Sequence, residues 1–157
     1  MANRYFRPRR LSVREQGAHF KRLWPAFETA LKGGKLVCRG IIRPHPLARA
    51  YRVRIEYSMG SSPRVFVEEP ELIPRHEGEP VPHTYDCDVP CLYLPGTSEW
   101  QPQKVIAETV VGWLSLWLLY YEHWLTTGDW KGEGVHLPSS LKVRDTAKAP
   151  DTARRES

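Results

Sequence analysis

No apolar run in this sequence is long enough to cross a membrane. The most apolar stretch, residues 109–121, is bracketed by Glu108 and Glu122 and falls short of the roughly 20 residues a span requires. It reads as a buried core helix. The basic start, residues 1–10, is followed by no apolar segment, so no secretory signal is expected. Cysteine is scarce, with three residues in an odd set (Cys38, Cys87, Cys91). That is the pattern of free thiols in a reducing cytoplasm, not of a disulfide framework. The chain has no glycine-rich phosphate loop, no His-Glu-x-x-His pair and no Gly-x-Ser-x-Gly elbow. Internal repeats are absent too.

What remains is 157 residues, enough for one domain with a real core. The net charge is +5 and much of it is arginine. Arg4, Arg7, Arg9 and Arg10 make a basic arm over residues 1–11. Arg39, Arg43, Arg49, Arg52 and Arg54 recur further along. Such charge is either a solvated face or a surface for an acidic protein partner. Nucleic acid is not expected, because no nucleic-acid motif accompanies it.

Along the chain, residues 12–31 read as a first helix. Ser12 and Glu15 stand at capping-box spacing, and Phe20, Leu23, Trp24, Phe27 and Leu31 recur on one face. Pro25 should kink or divide this helix, and Gly33-Gly34 should end it. Residues 35–43 follow as a strand in which Cys38 packs as a small hydrophobe. Tyr51, Val53, Ile55 and Tyr57 alternate with Arg52, Arg54, Glu56 and Ser58, the clearest strand signal present. A further strand covers residues 64–68, so the runs form an antiparallel meander. Prolines 70, 74, 80 and 82 punctuate an aperiodic loop. A second helix is expected to open at Trp100-Gln101-Pro102 and to stop at Gly128. Residues 129–138 read as a short ordered extension, and residues 139–157 as a disordered tail. The class is α+β.

The segment from His83 to Pro95 carries the chemistry-bearing residues. Cys91 opens a short apolar run beside a loop, where a thiol can be exposed and reactive. His83, eight residues upstream, could orient or polarise groups near it. A core thiol with no chemistry is the competing reading. Zinc is a third, because His76, His83, Cys87 and Cys91 are four possible ligands, although the second knuckle of the usual spacing is missing.

The order of these signatures resembles the ubiquitin-conjugating (UBC) fold: a first helix, an antiparallel meander of three to four strands, a proline-rich loop, a histidine motif, Cys-Leu, Trp-x-Pro and a helix. Here the places are taken by His83-Thr84-Tyr85, Cys91-Leu92 and Trp100-Gln101-Pro102, over residues 12–130. More narrowly, Thr84-Tyr85, residues 91–95 and residues 127–130 resemble the short bacterial conjugating-enzyme-like proteins of type II CBASS anti-phage operons. The resemblance implies a UBC-like domain over residues 12–138, truncated C-terminal helices, and a cytoplasmic cysteine-dependent acyltransferase. Cys91 and His83 would be catalytic, with Thr84, Tyr85, Asp86 and Trp100 in support. No cofactor and no metal are implied. The implied partner is a cGAS-like nucleotidyltransferase whose C-terminus is the acyl donor. Thr84-Tyr85 replaces the Pro-Asn of the eukaryotic motif, which removes the asparagine that supports the oxyanion there.

Overall fold

The computed structural model describes residues 8–94 and 97–132, the Cys87 side chain excepted. Helix α1 spans Val13–Leu23 and begins with the capping box read from the sequence. The Glu15 N–H donates to Ser12 Oγ at 3.2 Å, and the Ser12 N–H donates to the Glu15 carboxylate at 2.8 Å. These bonds, the Ser12 backbone donor first and then Arg9, hold the Glu15 carboxyl down to about 2.

The helix is shorter than expected. Pro25 lacks an N–H and pushes Trp24 out of helical backbone, with φ −130° and ψ 65°. The helix therefore ends at Leu23, and residues 28–31, expected as its last turn, belong to strand β1 (Glu28–Lys32) instead. Gly33-Gly34 is not a helix stop. Both glycines have positive φ, 53° and 74°, as the two-residue hairpin between β1 and β2 (Lys35–Ile42) requires. Strands β3 (Tyr51–Ser58) and β4 (Arg64–Glu69) complete a four-stranded antiparallel sheet in the order β1-β2-β3-β4. The α+β class and the meander stand, at the upper end of the expected strand number.

Alternation along β3 sends Tyr51, Val53, Ile55 and Tyr57 inward. With Leu36, Cys38, Ile42 and Val65 they form one core with the buried face of helix α2 (Ile106–Thr127). Gly40 on β2 is a close-approach position: a Cβ there would lie 2.3 Å from the buried ring of Phe27. The outer face of the sheet is a lattice of opposite charges. Glu68 accepts from Arg54 at 2.7 Å and faces Arg39 at 3.5 Å. Lys35 and Arg54 both meet Glu56, and Arg52 faces Glu69 at 3.5 Å. The strand arginines are thus matched by carboxylates, and the Arg54 guanidinium also lies 4.1 Å from the centre of the Phe66 ring.

Helix α2 starts later than the sequence suggested. Trp100-Gln101-Pro102 precedes it as a turn, in which the Lys104 N–H donates to the Gln101 carbonyl at 2.9 Å. Val105 is the N-cap and its side chain offers no capping bond. Gln16, fully buried on α1, supplies the missing partners. Its Oε1 accepts from the Ile106 N–H at 2.9 Å and its Nε2 donates to the Lys104 carbonyl at 2.8 Å. Trp24 adds a bond from its indole to the Ala107 carbonyl at 2.8 Å. At the other end Gly128 closes the helix with φ 81°. The proline-rich loop is pinned to α2 as well, since the Tyr121 hydroxyl accepts from the Ile73 N–H at 2.8 Å and donates to the Ile73 carbonyl at 3.1 Å. The C-terminal part of the expected extension and the whole of the expected tail, residues 139–157, lie outside the described residues.

Candidate active site

Between the proline-rich loop and α2 the chain makes a small hairpin that the sequence reading left as loop. Strand β5 (Thr84–Tyr85) pairs antiparallel with β6 (Val89–Pro90) around a 3-10 turn at Asp86–Asp88. Each strand is only two residues long, too short for a periodic signal. His83 and Asp88 both have positive φ, 53° and 55°, a backbone region where histidine and aspartate are among the tolerated non-glycine types. The hairpin lies against β4.

His83 and Cys91 are brought together through the backbone. The His83 carbonyl accepts from the Cys91 N–H at 2.8 Å, extending the hairpin ladder by one step. The same carbonyl accepts from the Trp117 indole at 3.0 Å. One oxygen thus ties the cysteine to the middle of α2. The His83 ring stacks on Trp130, with centroids 4.7 Å apart, and Trp130 packs on Trp117 and Tyr120 in turn. His83 meets the cysteine through its main chain and meets the tryptophans through its ring.

Cys91 is half-buried. Its Sγ lies 3.8 Å from the Tyr93 carbonyl. The Tyr85 hydroxyl donates to that same carbonyl at 3.1 Å, so it and the thiol share one acceptor. Burial pushes the thiol above its ordinary value. The Tyr85 hydroxyl works against that rise, and the Glu99 carboxylate adds to it. Burial likewise keeps the Tyr85 phenol protonated, and the nearby Cys91 sulfur adds to the effect. By contrast Cys38 is fully buried on β2 and desolvation lifts its thiol to about 12, as expected of an inert core thiol.

The other sequence-assigned residues are placed as follows. Thr84 is part-buried and its hydroxyl donates to the Val81 carbonyl at 2.8 Å, which fixes the entry to the hairpin. Asp86 opens the exposed 3-10 turn. Trp100 is 7% exposed. Its ring stands edge-on to Tyr57 at 5.7 Å and lies 6.4 Å from Tyr93, so it forms the floor under the loop that follows Cys91. Among the described residues no group of three His, Cys, Asp or Glu side chains converges as a metal-ligand set, and the Cys87 side chain lies outside the description. His76 is on a separate exposed turn.

Several residues of the site were not singled out from the sequence. Tyr93 supplies the carbonyl beside the thiol, and its hydroxyl reaches the Pro63 carbonyl at 3.0 Å. The Glu99 carboxylate accepts from the Leu94 N–H at 2.6 Å, and Lys104 Nζ donates to the Ser98 carbonyl at 3.1 Å. None of these carries a sequence signal, because the partner in each case is a backbone group that any residue possesses.

The fold and this geometry define an α+β domain that presents the part-exposed Cys91 thiol beside a small hairpin tied to its central helix. A family model, the type II CBASS E2 protein (E2-CBASS), matches residues 16–137. The match covers most of the chain and the whole of the hairpin segment, and the protein belongs to that family. Membership gives it a place in CBASS anti-phage systems as an E2-type protein. No curated protein matches the chain. No helix among the described residues is long and apolar enough to cross a membrane.

Proposed function

We propose that the protein is a cysteine-dependent acyl carrier of the ubiquitin-conjugating type, acting in the cytoplasm on the C-terminus of a cGAS-like nucleotidyltransferase. The observation that carries this reading is the half-buried Cys91, held by the His83 carbonyl at 2.8 Å and flanked by the Tyr85 hydroxyl. The Cys91 thiolate attacks the carbonyl carbon of an acyl group already activated as a thioester or acyl adenylate. The donor's leaving group departs with its electron pair, and the acyl group rests on sulfur as a thioester. An amine then attacks the same carbon, the sulfur leaves as thiolate, and the amine's proton passes to solvent or a nearby base. His83 orders the cysteine through its carbonyl, and Thr84, Asp86 and Trp100 shape the hairpin and the floor beneath it. Neither a metal nor a cofactor enters this scheme.

The test is to mix the protein with the nucleotidyltransferase of its own operon, any activating component included, and resolve the products on a non-reducing gel. A thiol-sensitive adduct should form with the wild type and with Cys87→Ala, and should vanish with Cys91→Ala. An adduct that survives Cys91→Ala refutes the mechanism. A second reading is favoured by one observation: burial raises the Cys91 thiol, which suits a non-catalytic module that binds the same partner. Full anti-phage protection by Cys91→Ser in cells supports that module instead.

A further inference from the structure

The Tyr93 carbonyl is an acceptor shared by two donors. It receives the Tyr85 hydroxyl at 3.1 Å and lies 3.8 Å from Cys91 Sγ. With a neutral thiol both donors suit it. Once the thiol loses its proton to solvent, the sulfur is an anion facing a carbonyl oxygen, and that arrangement is repulsive. A donor that turns from the carbonyl to the sulfur removes the conflict. The Tyr85 hydroxyl, held on the same carbonyl oxygen, can do so by turning its O–H away from that oxygen and closing on the sulfur. Among the described residues, three titratable groups act on the sulfur. Tyr85 faces it from β5, Tyr93 from the following loop, and Glu99 from the segment before α2. Tyr93 spends its hydroxyl on Pro63, and Glu99 is an anion that opposes a thiolate. Of these three, Tyr85 is the one with a proton to offer the sulfur.

We propose that the Tyr85 hydroxyl is a two-position donor, parked on the Tyr93 carbonyl when Cys91 is a thiol and turned to the sulfur when Cys91 is a thiolate. This rests on Cys91 as the nucleophile. It assigns the replacement for the missing asparagine to a group that acts on the sulfur rather than on the substrate's oxygen. Tyr85 is 37% exposed, so its ring also borders the approach to the thiol.

The experiment follows alkylation of Cys91 by iodoacetamide across pH in full-length Cys87→Ala protein, with the modified residue located by mass spectrometry. In that background Tyr85→Phe should raise the midpoint of the rate–pH curve by about one pH unit, because a hydrogen bond to a charged group is lost. The rate near neutral pH should fall about ten-fold, while the plateau at high pH is kept. Tyr93→Phe frees the loop from Pro63 but keeps the shared carbonyl, and its midpoint should stay with the parent. A monofluorinated tyrosine at position 85, a stronger donor in the same frame, should lower the midpoint, and it keeps the test open if Tyr85→Phe folds poorly. Equal midpoints for parent and Tyr85→Phe overturn the proposal, as does an equal rise in Tyr93→Phe, which assigns the effect to loop order. If Cys91 resists iodoacetamide in the folded parent, the nucleophile reading itself falls. If Cys91 reacts with unchanged midpoints, only the role of Tyr85 falls.

Discussion

Gln16 is the buried polar residue on which the start of α2 depends, and replacing it is the sharpest test of how the fold is held. Its side-chain amide joins α1 to α2 by two bonds, to the Ile106 N–H at 2.9 Å and the Lys104 carbonyl at 2.8 Å. Gln16→Leu keeps most of the volume and removes both partners. Each orphaned group costs about 1–3 kcal/mol, so the loss for the two is roughly 2–6 kcal/mol, against a total stability of about 5–15 kcal/mol for a domain. With a urea slope of about 1–3 kcal/mol/M, the midpoint should fall by roughly 1–3 M, followed by the fluorescence of the six tryptophans. Gln16→Glu separates hydrogen bonding from packing. Its carboxylate still accepts from Ile106, but when ionised it has no proton to give Lys104, and burial raises its pKa above the unfolded value of about 4.3. A raised folded pKa means that the stability is present below about pH 4 and is lost as pH rises through the folded pKa. Relative to wild type, Gln16→Glu should therefore be least impaired in acid and most impaired near pH 8. A midpoint for Gln16→Leu within about 0.3 M of wild type, or a Gln16→Glu deficit that does not change with pH, would refute the reasoning.

Two other substitutions test the elements around it. Gly40→Ala places a Cβ 2.3 Å from the Phe27 ring, which is buried and cannot step aside. It should cost about 1–3 kcal/mol in a urea titration, and Phe27→Leu in the same chain should return part of that loss. Glu15 has a folded pKa of about 2 against an ordinary 4.5. With the folded value depressed, its contribution is full above about 4.5 and disappears as pH falls towards 2. The stability gap between wild type and Glu15→Gln, measured by urea titration, should therefore close on acidification. A gap that stays constant down to that pH would remove the capping box as its source.

The elements that were legible share one property: their signals are local and repeated. The Ser12-x-x-Glu15 cap, the β3 alternation and the apolar face of α2 all show within a dozen residues. Residues 24–32 misled because Phe27 and Leu31 fit a helical stripe by spacing. The physical arbiters were Pro25, which ended the helix, and Gly33-Gly34, which is equally a helix stop and a hairpin turn until a pairing strand is found. The arginines misled in another way. Arg39, Arg52 and Arg54 look like a basic stripe in the chain, but Glu68 and Glu69 on β4 become their neighbours only when the sheet forms. Charge counted along a strand overstates the field on the face of a sheet.

The site divides along the same line. Cys91 and His83 could be singled out as residue types, but what joins them is a carbonyl oxygen, and a carbonyl is invisible in a sequence. Because that oxygen takes both the Cys91 N–H and the Trp117 indole, the position of the cysteine backbone is set by the helix and not by the hairpin alone. The far side of the loop is set independently, through Gln16 to Lys104 and from Lys104 to the Ser98 carbonyl. The thiol thus stands between two anchors that share no hydrogen bond. Cys38 shows what the thiol would be without this arrangement: with its sulfur wholly inside the core, burial outweighs the opposing Thr29 hydroxyl, and the same residue type becomes packing.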